Sequence, residues 1–290
     1  MKRKRRPSIN EPDPCLCLMG LNSEEATNLA LKYVLKAGDE AEALCAAASL
    51  GSDITLKQLM DAGAPAFAVR APSGETALHF ATTPTVVRLL VDRGADPSST
   101  DIPTLETPLH RAAEKGRVKV VEALLLLLGP SGIDPLDKIG QTPLRKAVLS
   151  EEIGSDEAAI LLVQKGADIY DLDLLGNAVF HDTVSRGSKD LLELVVRKAS
   201  EFGLVDLANG WGQTPLHLAC LRCEKDEVGG LCACKHLLQA GGDVSIADVD
   251  GKTPYDLAQD SSSEDLLKSM HLAKVEKNVD ERYRGQSGET

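Results

Sequence analysis

One short phrase returns along the chain on a nearly regular beat, and a recurrence of this kind constrains the fold more than any other feature. Thr-Pro-Leu-His stands at Thr107 to His110 and again at Thr214 to His217. Variants fall on the same beat: Thr76-Ala77-Leu78-His79, Thr142-Pro143-Leu144-Arg145, Ala178-Val179-Phe180-His181 and Thr253-Pro254-Tyr255-Asp256. Their first residues lie 31, 35, 36, 36 and 39 apart. An earlier copy, Leu44 to Gly51, keeps the Ala-rich part of the phrase without its Thr-Pro.

Each copy is also a physical instruction. A Thr hydroxyl caps a helix by accepting from an orphan amide, and Pro suits the first helical position because its missing donor costs nothing there. Later in each period comes Gly63-Ala64-Pro65, Gly94-Ala95-Asp96, Gly166-Ala167-Asp168 or Gly241-Gly242-Asp243, where Gly closes a second helix. Between cap and stop lie two short apolar-striped helices, as over Leu109–Lys115 and Val118–Leu127. A polar turn then leads to the next cap, with Asp137, Asp173, Asn209 and Asp248 each three residues before Gly140, Gly176, Gly212 and Gly251. Units this short bury their apolar faces only against their neighbours, so the pattern demands a stack.

The cap, the Ala pair and the Gly-Ala-Asp stop together make residues 41 to about 270 resemble the ankyrin-repeat family. That resemblance implies an all-α solenoid of about six to seven stacked helix-turn-helix units with hairpin-like loops. Its fingers and first helices would form a concave recognition face, and its second helices the outer side. It also implies that His79, His110, His181 and His217 are framework residues tying neighbouring turns. The chain departs from the family pattern in several places. The repeat at Thr76 is short around Thr82 to Thr85, Leu105 stands where the turn Gly belongs, and Glu151–Asp156, Phe202–Val205 and Glu224–Gly230 read as insertions. The copy at Ala178 has lost its Thr-Pro.

Composition agrees with packing through small residues. Apolar residues make up 43% of the chain but aromatics only 3%, too few large side chains to anchor one central core. Four segments are expected: a basic, disordered tail over 1–20, a capping helix over 21–40 built on Leu29, Leu31, Val34 and Leu35, repeats over 41–274, and a polar tail over 275–290. The net charge is −12, and without the run Lys2 to Arg6 it falls to −17, with 27 basic against 44 acidic residues. So acidic a body repels phosphate backbones, which argues against direct nucleic-acid binding and leaves a basic protein partner open. The basic run reads either as a nuclear address or as a solvated tail, so the expected location is cytoplasmic with the nucleus open.

No Gly-rich phosphate loop, Gly-x-Ser-x-Gly elbow or His-Glu-x-x-His is present, so neither catalysis nor a cofactor is expected. The seven Cys, an odd number without an apolar leader before them, point to a reducing compartment, and no apolar stretch is long enough for a membrane span. Cys220, Cys223, Cys232 and Cys234, with His236 nearby, offer enough soft ligands for zinc. Alignment to the repeat instead puts Cys220 and Cys234 at small packed positions, where a free thiol serves as a hydrophobe, and no metal site is assigned.

Function then rests on the surface. The expectation is a monomeric, non-catalytic protein-binding module, an adaptor or inhibitor. The alternatives are a nuclear transcription or proteasome-linked regulator, or the recognition arm of a kinase or ubiquitin-ligase complex. In the column just before the turn Gly stand Ile139, Leu175 and Trp211, at a spacing of 36. With Leu174 beside them and Gln141, Asn177 and Gln213 flanking, they predict an apolar ridge along the finger tips, of a kind that monomers avoid unless it binds something. Glu114, Lys115, Arg186, Leu221 and Arg222 are expected to face the same groove.

Overall fold

The computed structural model describes residues 40–258, apart from 187, 224, 225 and the side chain of 227. The expected tails over 1–20 and 275–290, most of the expected capping helix over 21–40, and Cys15 and Cys17 lie outside the described residues. No strand occurs among the described residues; two isolated antiparallel bridges, Val69 to Thr76 and Leu172 to Ala178, mark two of the fingers.

The chain divides into two compact units, one of residues up to 146 with 152–158, the other of 147–151 with residues from 159 onward. In the first unit the helices alternate as the caps dictate. They are α1 (Glu40–Ser49), α2 (Asp53–Asp61), α3 (Ala77–Phe80), α4 (Pro84–Asp92), α5 (Pro108–Glu114) and α6 (Val118–Leu128). The first helices α1, α3 and α5 pack in one row and the second helices α2, α4 and α6 in another. Helix α7 (Pro143–Leu149) and helix α8 (Ser155–Gln164) follow, each divided between the units. The second unit continues with α9 (Val179–Arg186), α10 (Lys189–Glu201), α11 (Pro215–Cys223), α12 (Glu227–Gln239) and α13 (Pro254–Leu257). Here α9, α11 and α13 form one row, and α10 packs on α12.

The caps work as the residue types require. Thr107 Oγ1 accepts from the His110 amide, and Ser52, Thr83, Ser188 and Asp226 cap second helices in the same way. The buried apolar residues include Leu44, Leu78, Leu109 and Leu124 in the first unit and Phe180, Val195 and Leu216 in the second. A row of units joined only to neighbours draws its stability from such burial. The shortened repeat shows as α3, only four residues long.

Each finger turns on one repeated arrangement. In 137–141, 173–177, 209–213 and 248–252, the leading Asp or Asn accepts on one side-chain oxygen from the amides two and four residues on. Its own amide donates to the carbonyl of the fifth residue. That closure needs a positive φ at the fourth residue, 77°, 73°, 72° and 76° at Gly140, Gly176, Gly212 and Gly251. Leu105 takes the same part with a side chain on it: its φ is 56°, which no other non-glycine residue approaches among those described. Asp101 holds that turn from one residue further back, accepting from the amides of Thr104 and Glu106.

Candidate protein-binding face

The four framework histidines join one repeat to the next. In Thr107-Pro-Leu-His110 the Thr107 amide donates to His110 Nδ1 at 3.1 Å, so the ring's hydrogen sits on Nε2, which donates to the Gln141 carbonyl at 3.0 Å. His79 reaches the Glu106 carbonyl, His181 that of Leu207 and His217 that of Lys252. Burial pushes all four imidazoles below their ordinary value, against the carbonyls' pull in the other direction. In the copy at Thr142 the same place is filled by Arg145, only 1% exposed.

Fingers are also tied tip to tip through backbone. Ile102 N–H donates to the Ser73 carbonyl and Lys138 N–H to that of Thr104 in the first unit; in the second, Gly210 N–H donates to Leu175 and Val249 N–H to Trp211. The acceptor in each tie is the residue just before the turn Gly, or before Leu105 in its place. Its main chain is therefore fixed; the side chains of Thr104, Leu175 and Trp211 are exposed, and Ser73 is half-buried with its hydroxyl donating to Glu75. At that position the second unit exposes Leu175 and Trp211, the latter 46% accessible, and Leu174 beside them is 93% accessible. Leu172 and Val249 add further exposed apolar surface on the same unit. Ile139 occupies the equivalent place in the first unit and is exposed there.

The flanking residues are more committed. Gln141, Asn177 and Gln213 are half-buried, and their carbonyls and amides close the turns. Asn177 Oδ1 also accepts from Asn209 Nδ2 at 2.9 Å, linking two fingers. Among the first-helix positions, Arg186 is exposed, and Leu221 and Glu114 are half-buried. Lys115 is exposed but pairs with Glu152 at 2.7 Å. Arg222 is spent on the framework: its guanidinium donates to the Val184 carbonyl at 2.9 Å and to Asp226 at 2.9 Å.

A chain of charges in the first unit was not anticipated from sequence. Arg70 pairs with Glu42 and Glu75, Arg111 with Glu75, Asp101 and Glu106, and Lys146 with Glu106 and Asp137. Its carboxylates at Glu75, Asp101, Glu106 and Asp137 are buried. Burial works to raise the Asp101 carboxyl, but the Thr104 hydroxyl, the Glu106 and Thr104 amides and Arg111 outweigh it and hold it below the usual carboxylate range. Burial likewise opposes the charge on Arg111, and the three carboxylates overcome it. The signal was available: an acid just before the cap at Glu75 and Glu106, and a cation just after the fourth motif residue at Arg111 and Lys146. A cation in one repeat then meets the acid of the repeat before.

The cysteines divide. Cys220 and Cys234 are buried with sulfurs 4.0 Å apart, and Cys223 is buried too, while Cys232 reaches the surface beside His236. Among the described residues no group of three or more His, Cys, Asp or Glu is placed to hold a metal ion, and no helix is long and apolar enough to cross a membrane.

Known proteins carry the same repeat. The model for "Ankyrin repeats (3 copies)" matches residues 102–173, and that for "Ankyrin repeat" matches 73–102 and 211–249. Cyclin-dependent kinase 4 inhibitor B of Bos taurus is 33% identical over 119 residues, 40% of this chain and 82% of that protein. The B-cell lymphoma 3 protein homolog of Mus musculus is 29% identical over 183 residues, 61% of this chain but only 38% of that protein. The crystal structure of the ankyrin repeat domain of Bcl-3, described as a unique member of the IkappaB protein family, superposes with a TM-score of 0.63 at 27% identity, covering 78% of this chain and 97% of that one. From these matches, the helix pairs and the recurring cap and turn chemistry, the chain belongs to the ankyrin-repeat family.

Proposed function

We propose that this chain is a non-catalytic regulatory adaptor or inhibitor that works by occupying a protein partner, through the finger tips and the first-helix side of its repeats. The observation that carries the reading is the outward placement of Leu174, Leu175 and Trp211. The Gly210 amide donates to the Leu175 carbonyl, which fixes the backbone of those two fingers and so the points from which these exposed side chains project. Large apolar side chains held in water at adjacent tips are a liability unless a partner covers them. Aromatic anchors such as Trp211 are the residues that most often dominate interface energetics.

The similarity to a kinase inhibitor and to an IkappaB-family member supports regulation through binding rather than turnover. In this reading the partner is a protein whose contact surface is apolar with basic residues around it, complementing the net charge of −12. The chain acts as a monomer without nucleic acid or membrane. It works in the cytoplasm, with the run Lys2 to Arg6 admitting it to the nucleus. The test is affinity capture from crosslinked cells with wild type and with a Leu174→Ser/Trp211→Ala double variant as baits. The reading expects one or more proteins held by wild type and lost from the double variant. The same proteins at the same abundance on both baits would refute it.

A further inference from the structure

Between α10 and α12, second helices of successive repeats in the second unit, lies an open groove of about 570 Å³. That volume is within the range of small-molecule sites, about 300–1,000 Å³. It is lined by Lys189 and Glu193 from α10 and by Cys232, Lys235 and His236 from α12, among others. It uses none of the finger residues. Lys189, Glu193 and Lys235 are exposed, and none of them enters an ion pair with another of the described residues. Two ammonium groups and one carboxylate thus surround a thiol without serving the repeat framework.

The thiol itself is set apart from the others. Among the described residues Cys45, Cys220, Cys223 and Cys234 are buried, and Cys232 is the one that solvent reaches. His236 Nδ1 lies 2.7 Å from the Cys232 carbonyl and 3.5 Å from its sulfur. A carbonyl only accepts, so Nδ1 carries the hydrogen. The sulfur 3.5 Å away therefore receives a hydrogen bond rather than giving one, the polarity that suits a nucleophile.

We propose that this groove is a binding and modification site for a small peptide disulfide whose halves each carry two carboxylates and one ammonium, the charge pattern of glutathione disulfide. Lys189 and Lys235 meet the two carboxylates and Glu193 meets the ammonium. Cys232 releases its proton to solvent and attacks one sulfur of the ligand's S–S bond. That bond breaks, its electron pair leaves on the other half as a thiolate, and the thiolate takes up the proton. The products are one mixed disulfide on Cys232 and one free peptide thiol. The ligand disulfide is the only oxidant.

The experiment uses the full chain with Cys15→Ser and Cys17→Ser, treated under native conditions with glutathione disulfide or with the uncharged hydroxyethyl disulfide, and mapped by peptide mass spectrometry. The expected result is a single glutathione adduct, on Cys232. A Lys189→Ala/Lys235→Ala variant should slow that adduct about tenfold more than it slows the reaction with the uncharged disulfide, the sum of two exposed ion pairs. Circular dichroism checks that the variant keeps its helices. An adduct on another cysteine, no adduct on Cys232, or an equal change with both disulfides overturns the proposal.

Discussion

Replacing Leu105 by Ala and by Gly should reverse the usual order of those two residues. Leu105 holds φ at 56° in a turn where the other fingers use glycine. A side chain in the left-handed region costs about 1–2 kcal/mol, because Cβ crowds the following carbonyl. Leu105→Ala keeps that cost and loses the contacts of a side chain that is 44% exposed. Leu105→Gly loses the same contacts but relieves the crowding, at an entropic cost of about 0.5–1 kcal/mol for the freer unfolded chain. The difference leaves the Gly variant about 0.5–1 kcal/mol more stable than the Ala variant, whereas in a helix or strand glycine would be less stable by a similar amount. Comparing Ala with Gly cancels the lost Leu contacts, so only the backbone contribution remains. Urea titrations followed by circular dichroism measure it, provided that the slopes of the two transitions agree. A Gly variant equal to or weaker than the Ala variant would show that the turn carries no strain at Leu105.

The charge chain and the histidines give two further expectations. Arg111→Met removes the cation shared by Glu75, Asp101 and Glu106, and should destabilise the fold by about 3–5 kcal/mol, since it leaves buried carboxylates uncompensated; a loss below about 1 kcal/mol in urea titration would mean that water already screens the cluster. Because burial lowers the pKa of His79, His110, His181 and His217, the unfolded chain takes up protons first as pH falls through about 6.5. Stability is therefore complete above that pH and declines below it toward the depressed folded values, by at most about 1.4 kcal/mol per pH unit for each imidazole. A urea midpoint that does not move between pH 7.5 and 5.5 would contradict the buried neutral rings.

What could be read from sequence was what local chemistry dictates. Thr-Pro starts a helix wherever it stands, and Asp-x-x-Gly closes a turn with its own side chain, so caps and fingers followed from position in the repeat, as did the separate exposure of Ile139, Leu175 and Trp211. Leu105 was legible as a break in the glycine column; that the backbone would keep the glycine conformation was not. The pairs that Lys115 and Arg222 make were not legible, because their partners, Glu152 and Asp226, sit in insertions whose course the repeat does not specify. The charge chain escaped because the links that join its repeats, Arg111 to Glu75 and Lys146 to Glu106, span a full repeat and recur in only part of the array. Among the thiols, two residues on a helix point about 200° apart at 3.6 residues per turn. Cys234 accordingly enters the core against Cys220, and Cys232 turns to the groove between α10 and α12.

The central claim is that the exposed finger tips are there for a partner, and Trp211→Ala tests it most directly, because Trp211 is the chain's sole tryptophan and sits where its main chain, not its indole, makes the bond to Val249. Affinity for the captured partner, measured by isothermal titration alongside a urea unfolding curve, separates binding from bracing. Losing a Trp anchor costs about 2 kcal/mol or more, so binding should weaken roughly thirtyfold or more while the unfolding midpoint stays in place. A midpoint that falls sharply with affinity intact would contradict the claim, and would make the ridge a brace within the stack.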